Sequence, residues 1–299
     1  MRMSDATQRG VLIIGCGDTG RRLAALYRAE GRQVSGVVRS DASVRALHAA
    51  GIRPIRTDLD AGDLPSLPSG GARVFYFAPP VDVGQDDIRI ERLLDHLEFT
   101  GLPARFLYLS TTGVYGDCEG RWIDESEPLR PSTYRAQRRI AAEDAVRNWC
   151  GDHGIDWLVL RVPAIYGPGR LLTERLKSGM PTVRSEECSF TNRIHIDDLV
   201  SVCHAVMEDA KGGALYNVSD GQPSTITDYL FQLAELTGMP KPPLISMQEA
   251  ERMLSPSIMS FMKESKRLKN DKLLNETGIK LRYPDLKGGL KASLGMSYP

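Results

Sequence analysis

The sequence has no surplus of charge, no paired cysteines and no apolar stretch long enough to cross a bilayer, and each absence removes a class of function. Lys+Arg and Asp+Glu both number 38 in 299 residues, so no net field draws the chain to nucleic acid, to an anionic membrane or to a polybasic partner. The five cysteines, Cys16, Cys118, Cys150, Cys188 and Cys203, are odd in number, far apart and never in a CxxC pair. That pattern suits reduced thiols and argues against zinc. His48, His96, His153 and His204 show no ligand spacing. The polar opening MRMSDATQRG lacks the charged, apolar and cleavable regions of a signal peptide, and no apolar run matches the roughly 20 residues of a membrane span. The expectation is a cytoplasmic protein with a small-molecule substrate and neither nucleic acid nor membrane as a partner.

What is present is an alternation. Short β-branched runs at VLIIG (from Val11), QVSGVV (Gln33), IRPIR (Ile52), RVFYFA (Arg73), RFLYLS (Arg105) and DWLVLR (Asp156) are separated by helical patterns. These helices are expected near Thr19 to Glu30, Ser43 to Ala50, Asp87 to Phe99 and Thr133 to Cys150. Strands separated by helices imply an α/β fold, a Rossmann-type doubly wound parallel sheet. Residues 1–168 read as the dinucleotide-binding domain, with 196–220, including ALYNVS from Ala214, returning to it. Residues 169–195 and 221–299 read as a smaller substrate-binding region, with a Pro- and Met-rich stretch from Met239 to Ser260.

The segment Gly15-Cys16-Gly17-Asp18-Thr19-Gly20 is a GxGxxG directly after an apolar strand and at the head of a helix. There Gly15 makes the tight turn, Gly17 admits a pyrophosphate to the backbone and Gly20 lets helix and strand pack closely, while helix amides face the anion. At the end of the second strand, where NAD enzymes carry an acidic residue for the ribose hydroxyls, stand Arg39 and Ser40. A guanidinium there suits a 2′-phosphate, so NADP is favoured over NAD, although Asp41 follows two residues on. Arg21 and Arg22 either assist the phosphate or face water.

Together with later motifs, these residues resemble the extended and atypical short-chain dehydrogenase/reductases, the NAD(P)-dependent epimerase/dehydratase family. The motifs are Asp58-Leu59, Ala78-Pro79-Pro80, STTGVYG from Ser110, the Tyr134 segment, LRVPAIYGPGR from Leu160, RIHIDDL from Arg193 and YNVSDGQP from Tyr216. The resemblance implies that Asp58 and Leu59 meet the adenine and that Ala78, Pro79, Pro80 and Pro163 lie along the cofactor. It implies Tyr134 as acid or base and Thr111 as the hydroxyl that acts with it. It also implies homodimers through the helices near 87–99 and 133–150, although Leu97 and Trp149 could equally serve the intramolecular core.

The family's Lys four residues after the Tyr is Arg138 here. A free tyrosine titrates near 10, so a phenolate base near neutrality needs a shift of about three units, roughly 4 kcal/mol, for which a nearby cation must supply much. Arg138 can lower the phenol pKa and touch the ribose, with different reach from a lysine; the alternative is a surface arginine in a run with Arg135 and Arg139. Sugar-nucleotide 4,6-dehydratases carry Asp-Glu after the catalytic Thr, where this chain has Thr112-Gly113. UDP-sugar epimerases carry an Asn where Ala164 stands and a diphosphate-binding Arg where Thr191 stands, with Arg193 displaced by two. The first departure argues against 4,6-dehydration, and the other two put a nucleotide-sugar substrate in doubt.

Thr112, Arg170 and Arg193 are the candidate substrate contacts. His195 and Asp198 suit hydrogen bonding and helix capping better than catalysis. Lys263, Lys266, Arg267, Lys269 and Lys272 could attract an anionic substrate, but read more simply as a solvated helix face. Two functions follow: an NAD(P)-dependent oxidoreductase or epimerase acting on a small carbonyl, hydroxyl or sugar-like substrate, or a non-catalytic NADP-binding redox-sensing or regulatory protein.

Overall fold

The computed structural model describes residues 10–81, 84–255, 258–259 and 262–297; the polar opening and parts of the Met239–Ser260 stretch lie outside them. The central sheet is parallel and seven-stranded, in the order β11-β7-β5-β4-β1-β2-β3. Its strands are β1 (Val11–Ile14), β2 (Val34–Val38), β3 (Arg53–Arg56), β4 (Arg73–Tyr76), β5 (Arg105–Thr111), β7 (Asp156–Val162) and β11 (Ala214–Asn217). The switch in strand order lies between β1 and β4, which pair in parallel with Ile14 opposite Tyr76. Doubly wound sheets bind their ligands outside such a switch.

The helices that cover the sheet are α1 (Asp18–Ala29), α2 (Asp41–Ala49), α3 (Ile88–Thr100) and α4 (Tyr134–Asp152). In α3 the buried residues Ile90, Leu93, Leu94 and Leu97 recur at helical spacing and form one apolar stripe. They join Leu12, Ile14, Val74, Tyr76, Phe106, Tyr108, Ala142 and Val146 in one core cluster. Each buried Leu, Ile, Val or Phe side chain among them contributes about 1.5–3 kcal/mol by leaving water. Leu97 and Trp149 belong to this cluster and are thus intramolecular core.

The chain divides into two compact units. The first comprises 1–114, 134–161 and 200–216; the second comprises 115–133, 162–199 and 217–299. Residues 115–133 sit in the second unit because β6 (Trp122–Ile123) pairs with β13 (Arg267–Leu268) and the Lys266 ammonium donates to the Gly116 carbonyl at 2.5 Å. That unit also holds the parallel pairs β8 (Ala164–Tyr166) with β10 (Arg193–His195) and β9 (Thr182–Val183) with β12 (Leu244–Ile245). Its core gathers Tyr166, Leu176, Tyr229, Leu230, Leu233, Leu286 and Leu290.

The structure corrects the solvated helix face expected at 263–272. Arg267 lies in a strand, and Lys266 is buried, with its charge met by Glu264 at 2.8 Å. No described helix is long and apolar enough to cross a membrane.

Candidate functional site

In the first unit, the glycine turn follows β1. The Gly15 and Cys16 amides both donate to the Val37 carbonyl, at 3.1 and 3.0 Å, which bends the chain sharply out of the sheet. Gly15 has φ +79°, and a Cβ there would stand 2.5 Å from the Ala78 amide nitrogen. A side chain is excluded on both counts. At Gly20 a Cβ would meet Ile13 at 3.0 Å and the Cys16 sulfur at 3.2 Å, so this glycine serves helix–strand packing.

Gly17 differs. Its φ is −77°, and among the described residues a Cβ would meet only the Gly15 carbonyl within 4 Å, at the 4.0 Å limit. The described protein gives no packing reason for glycine there, and as the N-cap residue of α1 it brings no side chain to cap the helix. Open space beside such a helix N-terminus fits a pyrophosphate. Asp18, at the head of α1, pairs with Arg22 at 3.3 Å and lies 4.0 Å from Arg21, so both arginines face that carboxylate; Thr19 is partly buried.

At the end of β2, Arg39 is exposed. Asp41, which sequence alone left as a competing carboxylate, pairs with Arg56 at 3.2 Å. Arg39 has no ion pair among the described residues. The Ser40 hydroxyl caps α2, accepting from the Ser43 amide at 3.2 Å. Asp58 accepts from the Asp60 amide at 3.1 Å in a tight turn, while Leu59 and Ala78 are buried; Pro79 is exposed and Pro80 buried.

Sequence reasoning missed Arg89 on α3. Its guanidinium donates to both Asp60 oxygens, at 2.6 and 2.5 Å, and to the carbonyls of Pro79 and Pro80, at 2.9 and 3.1 Å. It thus ties together the two loops that the motifs assign to the cofactor.

The candidate catalytic residues lie on β5 and α4 of the same unit. Thr111 ends β5, and its hydroxyl accepts from the Gly113 amide at 3.3 Å; Thr112 behind it is buried. Tyr134 opens α4 and is 65% exposed, so its hydroxyl is accessible to a ligand. Arg138, one helical turn on, is buried and donates to the Gly84 carbonyl at 2.6 Å. This corrects the surface-arginine alternative, because Arg138 points into the unit toward the loop that follows Pro80. Arg139 is also engaged, donating to the Tyr108 hydroxyl at 3.0 Å and the Leu109 carbonyl at 3.2 Å, which pins α4 to β5.

Beneath them lies a second feature the sequence did not reveal. Glu143 of α4 accepts from Ser110 of β5 at 2.5 Å and from Arg161 of β7 at 3.2 and 2.7 Å, all three buried. The signal was a charged residue inside the apolar strand LVLRV, which needs a buried partner.

In the second unit, Arg193 does not behave as a substrate contact. It is 3% exposed, donates to Ser224, Thr191 and the Thr225 carbonyl, and lies over the Tyr229 ring at 5.2 Å. Arg170 is partly buried, and its amide donates to the Gly167 carbonyl at 3.0 Å; Pro163 is partly buried. His195 does cap: its Nδ1 accepts from the Asp197 amide at 3.2 Å, leaving Nε2 to donate to Ser293 at 3.2 Å. Asp198 does not; its carboxylate instead accepts the amides of Arg282 and Tyr283, at 2.7 and 2.9 Å, and so anchors a later loop.

Burial pushes all five thiols up, Cys16 and Cys150 to about 12, which leaves them poor nucleophiles and gives thiol-based redox sensing no support. Among the described residues, no group of His, Cys, Asp and Glu is arranged to hold a metal.

The family model for the NAD-dependent epimerase/dehydratase family matches residues 75–219, and the fold matches solved structures of that family along nearly the whole chain. The chain belongs to the NAD-dependent epimerase/dehydratase family. Among curated relatives, the protein YeeZ of Escherichia coli K12 is 25% identical over 284 residues, which cover 92% of this chain and 96% of YeeZ. Among solved structures, a conserved protein of unknown function from Silicibacter pomeroyi is 32% identical, with a TM-score of 0.85 over 96% of this chain and 99% of that one. MoeE5, solved with UDP-glucose and NAD, is 21% identical; its TM-score of 0.76, over 96% of this chain and 97% of that one, shows the shared fold. As an epimerase/dehydratase family member, the chain carries a fold seen with NAD bound in solved neighbours such as MoeE5.

Proposed function

We propose that this epimerase/dehydratase family member is an NADP-dependent oxidoreductase or epimerase acting on a small carbonyl, hydroxyl or sugar-like substrate. The observation that carries the cofactor choice is the charge arrangement at the end of β2. Arg39 is exposed without an ion pair among the described residues, while the carboxylates that could repel a 2′-phosphate, Asp41 and Asp60, are already held by Arg56 and Arg89.

Gly15, Cys16, Gly17, Asp18, Thr19 and Gly20 would hold the pyrophosphate, Arg39 the 2′-phosphate, and the loops at Asp58-Leu59 and Ala78-Pro79-Pro80 the adenosine side. When bound, the nicotinamide accepts or gives hydride at the substrate carbon. Tyr134 moves the proton at the substrate oxygen, and Thr111 orients that oxygen. Arg138, fixed on Gly84, brings positive charge to the side of α4 that faces the cofactor loops. That placement favours catalysis over the non-catalytic reading, which rested on the missing lysine. With Thr191 and Arg193 tied to Ser224, the slot where UDP-sugar epimerases bind a diphosphate has no spare arginine, which supports a substrate without a nucleoside diphosphate.

The test is calorimetric titration of Arg39→Glu beside the unaltered protein. NADP affinity is expected to fall by about a hundredfold, roughly 2.7 kcal/mol, with NAD affinity changed far less. Equal NADP affinity in the two proteins would remove Arg39 from the site.

A further inference from the structure

Asp60 sits where it can spoil a 2′-phosphate site. β2 and β3 pair with Val38 opposite Arg56, and the Thr57 amide donates to the Val38 carbonyl at 3.0 Å. The segment 57–60 therefore leaves the sheet alongside 38–40, and the Asp60 carboxylate enters the field of Arg39 as well as those of Arg89 and Arg92. Arg92 donates to the Asp60 carbonyl at 3.2 Å. The carboxylate itself is taken by Arg89, in a forked contact through both oxygens. The fork is rigid: the Arg89 side chain is 16% exposed and fixed on its other edge by the carbonyls of Pro79 and Pro80.

From this geometry we infer that Arg89 is a specificity-determining positioning residue, which keeps Asp60 off Arg39 and so preserves the site for a 2′-phosphate. The inference rests on the NADP reading proposed above. A planar guanidinium gripping two carboxylate oxygens fixes both the place and the direction of that charge. Without it, Asp60 is free to swing onto Arg39, which has no ion pair among the described residues, and to set a negative charge against the incoming phosphate. NAD, which lacks that phosphate, meets no such competition. Arg89 touches neither reacting atoms nor phosphate, so its effect is to be read in the ratio of the two cofactor affinities.

The experiment is calorimetric titration of NADP and NAD into the intact protein and its Arg89→Met, Asp60→Asn and Arg89→Met/Asp60→Asn variants, with thermal melts for each. Arg89→Met is expected to lose about tenfold in NADP affinity while NAD affinity changes by less than about threefold. The double variant is expected to recover NADP affinity to within about threefold of the unaltered protein, since the competing charge is gone. An equal loss for both cofactors, or a double variant as weak as Arg89→Met, would reduce Arg89 to a loop support and overturn the inference. Should Arg89→Met fail to fold, Arg89→Lys takes its place: charge without the fork predicts a partial loss of NADP preference, and full retention overturns the inference. An unaltered protein that binds neither dinucleotide sinks the proposed function, and this inference with it. One that prefers NADP while the Arg89 variants keep that preference sinks the inference alone.

Discussion

Glu143→Ala is expected to lower stability by about 3–5 kcal/mol, because it leaves the Arg161 guanidinium buried without its carboxylate. Glu143 is 1% and Arg161 4% exposed, and their two-point contact is joined by the Ser110 hydroxyl. Three elements meet there: β5, which ends in Thr111; α4, which begins at Tyr134; and β7. A charge stranded at that junction can be solvated only by opening the packing between helix and sheet. Replacing both partners with apolar residues, Glu143→Leu with Arg161→Met, is expected to cost much less than Glu143→Ala, since neither change then strands a charge. Equilibrium denaturation in urea measures both. A loss below about 1 kcal/mol for Glu143→Ala would mean that water reaches Arg161 and that the junction is not the rigid support of the site.

Tyr134→Phe is expected to lower turnover by about 10²–10⁴-fold while leaving NADP affinity almost unchanged. The phenol is exposed at the first residue of α4, so removing its oxygen leaves no cavity and breaks no buried contact. Any loss of turnover is then a loss of proton transfer. The assay follows NADPH absorbance with a substrate found by screening hydroxyl and carbonyl compounds. Full activity in Tyr134→Phe would take Tyr134 out of the chemistry.

Much of the first unit is legible in the amino-acid order because parallel strands are buried on both faces and read as apolar runs such as VLII. Gly20 is legible for a local reason, since its neighbours Ile13 and Cys16 stand close by in sequence, whereas Gly15 meets Phe77 and Ala78, which follow the adjoining strand β4. Long-range polar pairing is not. Arg89 and Asp60 are 29 residues apart, and nothing in either local pattern marks one as the partner of the other. Lys266 reaches the Gly116 carbonyl across 150 residues, which turned an apparent solvated lysine into a buried tie. Arg193 misled in part for the same reason: a motif placed it near a ligand slot, whereas its buried guanidinium donates to Ser224 and Thr225, some thirty residues on, as well as to Thr191. Ser40 shows that a residue in a cofactor motif can owe its hydroxyl to a helix N-terminus.

The measurement that bears most directly on the account is titration of Gly17→Ala with NADP and NADPH, beside the unaltered protein. Gly17 has negative φ and room for a methyl group, so the variant is expected to melt within a few degrees of the unaltered protein. The methyl would occupy the space left for the pyrophosphate, and affinity is expected to fall by about a hundredfold or more. Wild-type affinity in a folded Gly17→Ala protein would contradict the account, because the turn would then be a structural bend with no dinucleotide against it.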